Sequence, residues 1–242
     1  MSRPAWLTPV LLTALLLTAA CASAGGAPSG QRWPLVYSQD FATAKSRNDF
    51  ACSDPTQWRW TDAQGRPSLE LLGKSDYQPP FRAPTSQAIL TRFEVADFDL
   101  ECDVLQTGRE YGHRDLCLFF GWQSAERFYY VHLATAPDPN AHNVFVVDRA
   151  ARTNLSPVPA RGVDWGDGQW HHLRLHRRAS TGEIAVYWDR GEAPILVAND
   201  GRFDWGHIGL GSFDDSGRFA NLRIWAPTTR PRGLGVPAFS MR

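Results

Sequence analysis

The chain carries no net charge: Lys plus Arg and Asp plus Glu number 25 each over 242 residues. No overall field therefore draws nucleic acid or an anionic membrane surface, and nucleic acid is not an expected partner. The basic run RLHRR, Arg174 to Arg178, reads as the exposed face of one strand rather than as a binding patch. Helical periodicity is absent too, since no segment of ten or more residues beyond the N-terminal leader keeps it. Cysteine is scarce, four in all, and the wide spacing contains neither a CxxC pair nor a zinc-ligand pattern. No metal centre is expected from it.

The N-terminus reads as an address. Arg3 gives a positive start, Trp6 to Ala20 is an apolar run too short to span a bilayer, and Ala22, Ser23 and Ala24 are small. Leu17 to Cys21 resembles a bacterial lipobox, after which Cys21 carries lipid, while Ala22-Ser23-Ala24 is itself a site for ordinary signal peptidase. Both readings imply export, to the periplasm or the cell surface, with a membrane link only through a lipid anchor at Cys21. Residues 1–21 are thus the expected leader and 22–32, including GGAPSG, a flexible linker. Cys52, Cys102 and Cys117 remain. Export makes disulfides chemically accessible, and a Cys102–Cys117 bridge stands as open as two buried thiols.

What is present is ample material for a core, with 43% hydrophobic residues, 12% aromatics and ten Trp. About a dozen short alternating segments with turn signals between them predict an all-β sandwich over 33–226. From Pro227 to Arg242 a tail rich in Pro, Gly and Arg is expected to be mobile. Trp58 and Trp60 share a face and are assigned to core packing. Asp99, Glu101 and Asp103 alternate with Phe98, Leu100, Cys102 and Val104, so the acids are expected to face solvent and the apolar set the interior.

The central stretch is Tyr111 to Leu133, YGHRDLCLFFGWQSAERFYYVHL, which predicts two strands reversed between Gln123 and Arg127. Leu116, Leu118, Phe120 and Trp122 share one parity, as do Val131 and Leu133, and these sets make the better inner layers because burying an unpaired charge is costly. Tyr130 and His132 then share the outer face and are expected to be accessible there, with His113 and Asp115 near them. The loop that follows, Ala136 to Asn143, offers Asp138, Asn140 and His142 as contacts for a substrate. Calcium through Asp138 and Asn140 is chemically conceivable, since hard cations take oxygen ligands, but turn chemistry alone accounts for these residues.

FYYVHL, then GDGQWHHLRLHRRASTGEIAVYWD, then HIGLGSFDDSGRFANLRIW together resemble the concanavalin A-like lectin/glucanase superfamily, including laminin G-like modules, over about Leu35 to Trp225. The resemblance implies an antiparallel jelly roll of two sheets whose concave face, in relatives, binds or cleaves glycans. Asp99-Leu-Glu101-Cys-Asp103 has acids at the alternating places of the glucanase strand motif, but with Asp and Glu exchanged. Tyr130-Val131-His132 matches only the last two places of the alginate-lyase motif. Two functions stay open. One is a non-catalytic module that binds polysaccharide or another glycan. The other is a lyase or hydrolase in the same groove, with Tyr130 or His132 as acid or base, His113 and Asp115 orienting it, and Arg114 or Arg127 balancing substrate charge.

Overall fold

The computed structural model describes residues 33–159, 161–231 and 239. The leader expected over 1–21, the lipidation candidate Cys21 and the linker of 22–32 lie outside the described residues. In chain order the strands are β1 (Leu35–Gln39), β2 (Phe50–Cys52), β3 (Trp58–Thr61), β4 (Ser68–Leu71), β5 (Ser86–Leu90), β6 (Phe93–Glu94), β7 (Phe98–Gln106), β8 (Asp115–Ser124) and β9 (Arg127–Ala134). They continue as β10 (Asn143–Asp148), β11 (Thr153–Asn154), β12 (Trp170–Arg178), β13 (Glu183–Trp188), β14 (Leu196–Asn199), β15 (His207–Ser212), β16 (Gly217–Trp225) and β17 (Arg230–Pro231). Helix among the described residues is confined to three short 3-10 turns.

Two antiparallel sheets form the sandwich. The seven-stranded one runs β11-β10-β9-β8-β15-β5-β2; the eight-stranded one runs β14-β13-β12-β7-β16-β4-β3, with β1 also on β16. Strand alternation explains how they stack. Leu100, Cys102 and Val104 of β7 and Leu173 and Leu175 of β12 meet Leu116, Leu118 and Phe120 of β8 and Val131 and Leu133 of β9 in one buried cluster between the sheets. The predicted parity of both hairpin strands therefore holds for these residues. Trp58 lies in that core and Trp60 packs against it.

Trp122 departs from the expectation. Gly121 has φ +53°, and the β8–β9 register slips between Phe120 and Ser124. A bulge of this kind inserts a residue and exchanges the faces beyond it, so Trp122 joins a second cluster on the outer face of the seven-stranded sheet with Cys117, Phe119, Phe128, Tyr130 and Phe145. Glycine supplies the left-handed backbone there, and an added Cβ at Gly121 would stand 3.0 Å from the Tyr129 ring.

The question left open for the cysteines is answered, and one further expectation, that the basic run is an exposed face throughout, is corrected. Cys102 belongs to the inner cluster and Cys117 to the outer one, so the two sulfurs face opposite sides of a sheet layer, and both thiols are free. Within the basic run, Arg177 is buried. It stands on the core parity of β12 and donates to the carbonyls of Gly182 at 2.9 Å and Phe203 at 3.1 Å, which satisfies its guanidinium away from water. Of the tail from Pro227 to Arg242, only 227–231 and 239 are among the described residues: Arg230–Pro231 pairs with β6, and Phe239 packs edge-on against Tyr77 and beside Trp122.

Candidate functional site

β8 and β9 form a hairpin closed by the two-residue turn Ala125-Glu126, with Ser124 opposite Arg127. Cys117 stands directly across from His132, and Phe119 across from Tyr130. β10 continues the sheet, placing Asn143 opposite His132 and Phe145 opposite Tyr130. Tyr130 therefore lies between Phe119 and Phe145, stacked on the latter with ring centres 5.1 Å apart.

Above these strands lies a groove of about 330 Å³ lined by Arg82, Tyr111, His113, His132, Asn140, Ala141, Arg152, Phe213 and Asp214. Five loops build it: 73–85 brings Arg82, the entry to β8 brings Tyr111 and His113, the turn before β10 brings Asn140, the β15–β16 turn brings Phe213 and Asp214, and the β10–β11 turn supplies the fifth. Arg152 arrives from the β10–β11 turn. Its guanidinium donates to the Tyr130 hydroxyl at 2.8 Å and the Asn140 carbonyl at 3.0 Å, and rests against the rings of Phe145 and Phe213 at 4.6 and 4.8 Å.

The four residues proposed for catalysis come together here, at different depths. His113 is at the exposed lip, its Nε2 2.9 Å from Asp138 Oδ2. His132 lines the groove yet is only 4% exposed, and Tyr130 lies beneath Arg152 with 0% exposure. The expectation that this pair is accessible is thus corrected: the outer face of the sheet carries its own apolar layer, closed by Ala83, Phe81 and Phe213. Asp115 is fully buried under His132, with Oδ2 3.4 Å from His132 Nε2. It accepts from Ser212 Oγ at 2.8 Å, from the Phe213 amide at 3.2 Å and from the Cys117 thiol at 3.1 Å.

Electrostatics follow burial. Desolvation lowers the His132 pKa to about 3, with Arg152 adding to the effect, so the ring is neutral. The His142 amide donates to His132 Nδ1 at 3.1 Å, which puts the ring proton on Nε2, facing Asp115. Burial likewise raises Asp115, only partly offset by the hydrogen bond from Cys117, and raises the Tyr130 hydroxyl and the Cys117 thiol. Beside Asp115, burial also raises Asp215, which accepts from the Tyr111 hydroxyl at 2.7 Å and the Asp115 amide at 2.8 Å.

Of the substrate contacts expected from the sequence, Asn140 lines the groove and Asp138 supports it through His113. Asp138 Oδ1 also accepts from the Asn140 amide at 2.6 Å, so both its oxygens are engaged and a cation there would have to displace the His113 imidazole. His142 is buried, in a left-handed conformation at φ +52°, with Nδ1 accepting from the Ala134 amide. Two arginines point elsewhere. Arg114 is buried against the Gly166 carbonyl, and Arg127 pairs with Asp148 at 3.3 Å and covers Phe203. Arg82, Tyr111, Arg152, Phe213 and Asp214 escape a reading by local pattern because they come from four separate loops.

Among the described residues, two groups bring metal-ligating atoms within 4.8 Å of one another: Asp115, Cys117 and His132, and Asp115, Asp214 and Asp215. The first follows from the ladder, since Asp115 and Cys117 alternate on one face and His132 stands across from Cys117. Its histidine presents N–H rather than a lone pair to the cluster, which suits a hydrogen-bond network better than a cation.

No protein-family model matches the chain, and no curated protein matches it. Solved structures do. The carbohydrate-binding module CBM66 from Bacillus subtilis is similar at a TM-score of 0.52 and 17% identity, over 74% of this chain and 96% of that one. A protein of unknown function with a galectin-like fold, also from Bacillus subtilis, is similar at 0.56 and 10% identity, over 84% and 99%. Winged bean acidic lectin, solved with methyl-alpha-D-galactose, is similar at 0.51 and 11% identity, over 81% and 98%. At these identities the likeness is one of fold, and the chain has the concanavalin A-like jelly-roll sandwich that its second-half motifs imply.

Proposed function

We propose that the chain is a glycan-binding module that holds a saccharide in the groove over β8, β9 and β10. The observation that carries this reading is the composition of the groove. Arg82, Asn140, Asp214 and His113 offer donors and acceptors at its rim, and the half-buried Phe213 and Tyr111 rings offer apolar faces beside them. Sugars need both, since one face of a pyranose is apolar while its edge carries hydroxyls. That CBM66 is a carbohydrate-binding module and that the winged bean lectin was solved with a methyl galactoside supports the reading at the level of fold.

Turnover in the same groove is the competing reading, and the geometry favours it less. A general acid or base must reach the proton it transfers and titrate near the working pH. Tyr130 is covered by Arg152 and its hydroxyl is pushed up by burial, while His132 is held neutral in a single tautomer.

The test is affinity electrophoresis of the protein through xylan, β-glucan, galactan and polygalacturonate. Retardation by at least one polymer is expected, weakened by Arg152→Ala and by Phe213→Ala. Failure of every polymer to retard the protein, or retardation indifferent to both variants, overturns the reading; release of new reducing or unsaturated ends would establish the enzyme instead.

Export is proposed alongside, from Arg3, the apolar run and Cys21. Expressed in a diderm bacterium, the full chain is expected in the membrane fraction, with Cys21→Ser releasing or mis-processing it. A soluble mature protein beginning at Gly25 would show cleavage after Ala22-Ser23-Ala24.

A further inference from the structure

The opposite side of the sandwich carries a groove that the reading above does not use. It lies on the outer face of the eight-stranded sheet, encloses about 460 Å³, and is lined by Glu101, Asp103, His172, Arg174, Asn221 and Arg223, with the turn after β13 as its rim. The position follows from parity: Leu100, Cys102 and Val104 fill the inter-sheet core, so Glu101 and Asp103 must face outward. Cross-strand register then sets the neighbours. Arg174 and Arg223 flank Glu101 from β12 and β16, and His172 stands opposite Asp103. His172 Nδ1 is 3.1 Å from Asp103 Oδ1, and Asn221 Nδ2 donates to Asp103 Oδ2 at 2.7 Å.

A solvated ladder of alternating charges would need only regular strands. Two departures from regularity meet at this groove instead. The β16–β7 register slips between Ala220 and Arg223, and Asn221 takes a left-handed backbone, φ +51°. The bulge turns the Asn221 side chain onto Asp103, the kind of re-aiming for which bulges are retained beside sites. At the rim, Asp189 and Arg190 are left-handed in succession, φ +48° and +61°, in a tight turn closed by Gly191 N–H to the Trp188 carbonyl at 2.9 Å. Two consecutive non-glycine residues in this region are unfavourable locally, and here they bring Arg190 to the groove edge.

We propose that this groove is a second saccharide-binding site, selective for neutral, polyhydroxylated ligands. Charge decides the class: Glu101, Asp103 and Glu192 balance Arg174, Arg190 and Arg223 around the cavity, so neither an anion nor a cation gains from the local field. Adjacent carboxylates and guanidiniums instead suit vicinal hydroxyls, each of which donates one hydrogen bond and accepts another. The cavity is within the range of small-ligand sites. Arg174 lies 3.8 Å over the Tyr187 ring, which holds its guanidinium in place and lowers the entropy lost when a ligand is bound.

The same left-handed residues supply the test. Glycine adopts their backbone without strain, so Asn221→Gly combined with Arg190→Gly removes two lining side chains while leaving the fold intact, and an unchanged Tm checks this. Xylohexaose, cellohexaose and galactohexaose are titrated calorimetrically into the full chain, the double variant and Arg152→Ala. Two saccharides per chain are expected for the wild type, one for the double variant and one for Arg152→Ala. An Arg152→Ala protein that binds as the wild type while the double variant loses binding retires the first groove and supports the second. A double variant whose stoichiometry and affinity match the wild type overturns the second site, as does a wild type that binds none of the three sugars.

Discussion

The Arg152 guanidinium donates to the Tyr130 hydroxyl at 2.8 Å, joining the β10–β11 turn to the middle of β9. This one bond both satisfies a phenol with no other outlet to water and fixes a cation at the groove, wedged against Phe145 and Phe213. Arg152→Ala should therefore do two things. It should weaken glycan binding by about tenfold or more, and it should cost about 1–3 kcal/mol of stability because a buried hydroxyl is left unsatisfied. Arg152→Lys should restore little of either, since an ammonium lacks the planar fork that reaches Tyr130 and Asn140 together. Retardation gels and thermal melts of the two variants check both parts; full recovery in the lysine variant would refute the geometric claim.

His132 and Tyr130 are the pair for which sequence parity implies tolerance to substitution. Their burial reverses that expectation. His132→Ala removes the acceptor for the His142 amide and the donor facing Asp115, so two buried groups lose partners and the variant should unfold at a clearly lower temperature, with a loss of about 2–5 kcal/mol. Tyr130→Phe keeps the ring stack on Phe145 and should cost about 1 kcal/mol. Thermal denaturation of the two separates the roles; equal and negligible shifts would mean that neither side chain is as enclosed as the structure has it.

Much of this was legible in the sequence, and what was not has identifiable physical causes. Leu116, Leu118, Phe120, Val131 and Leu133 face the core as their period-two pattern requires, and Asp99, Glu101 and Asp103 face away from it. Parity fails at Trp122, where the Gly121 bulge exchanges the faces. A composition rule fails at Arg177, buried where backbone carbonyls can satisfy it. For the site, the hairpin reading named His113, Asp115, Tyr130 and His132, of which His113 and His132 line the groove while Asp115 and Tyr130 lie buried beneath it, and no local pattern could reveal that the reverse face of their sheet is itself covered. Arg152 and Phe213 reach the groove through tertiary folding alone.

His142 offers a pH test with a definite sign. Burial holds its pKa at about 4 in the folded chain against the ordinary value of 6.5. Below pH 6.5 the unfolded chain takes up a proton that the folded chain refuses, so His142 contributes stability that is present above 6.5 and lost as pH falls toward 4, by about 1.4 kcal/mol per unit at most. His132 acts in the same direction; Asp115, raised by burial, acts oppositely, favouring the fold at low pH and losing its contribution as pH rises. Comparing the wild type with His142→Asn cancels the other two. Asparagine tolerates the left-handed backbone and does not titrate, so the stability difference between the two proteins should shift in favour of the variant as pH drops from 6.5 to 4 and stay flat above 7. A difference independent of pH across that window would mean that His142 is protonated in the fold.

The cysteines give the last prediction. Cys102 lies between the sheets and Cys117 on the outer side of the seven-stranded one, each fully buried, and Cys52 is half-buried. A disulfide needs Cα atoms within about 7 Å and Cβ vectors that converge, which side chains in two different clusters do not offer. Burial also pushes all three thiols up, Cys52 to about 12, so little thiolate is present at neutral pH. Even in an oxidising compartment these three should therefore stay reduced. Mass spectrometry after iodoacetamide treatment should find Cys102 and Cys117 unmodified in the folded protein and Cys52 modified only slowly, with all three alkylated once guanidinium unfolds the chain. A Cys102–Cys117 peptide pair recovered without prior unfolding would contradict the sheet assignment itself, since it requires one of the two strands to present its other face.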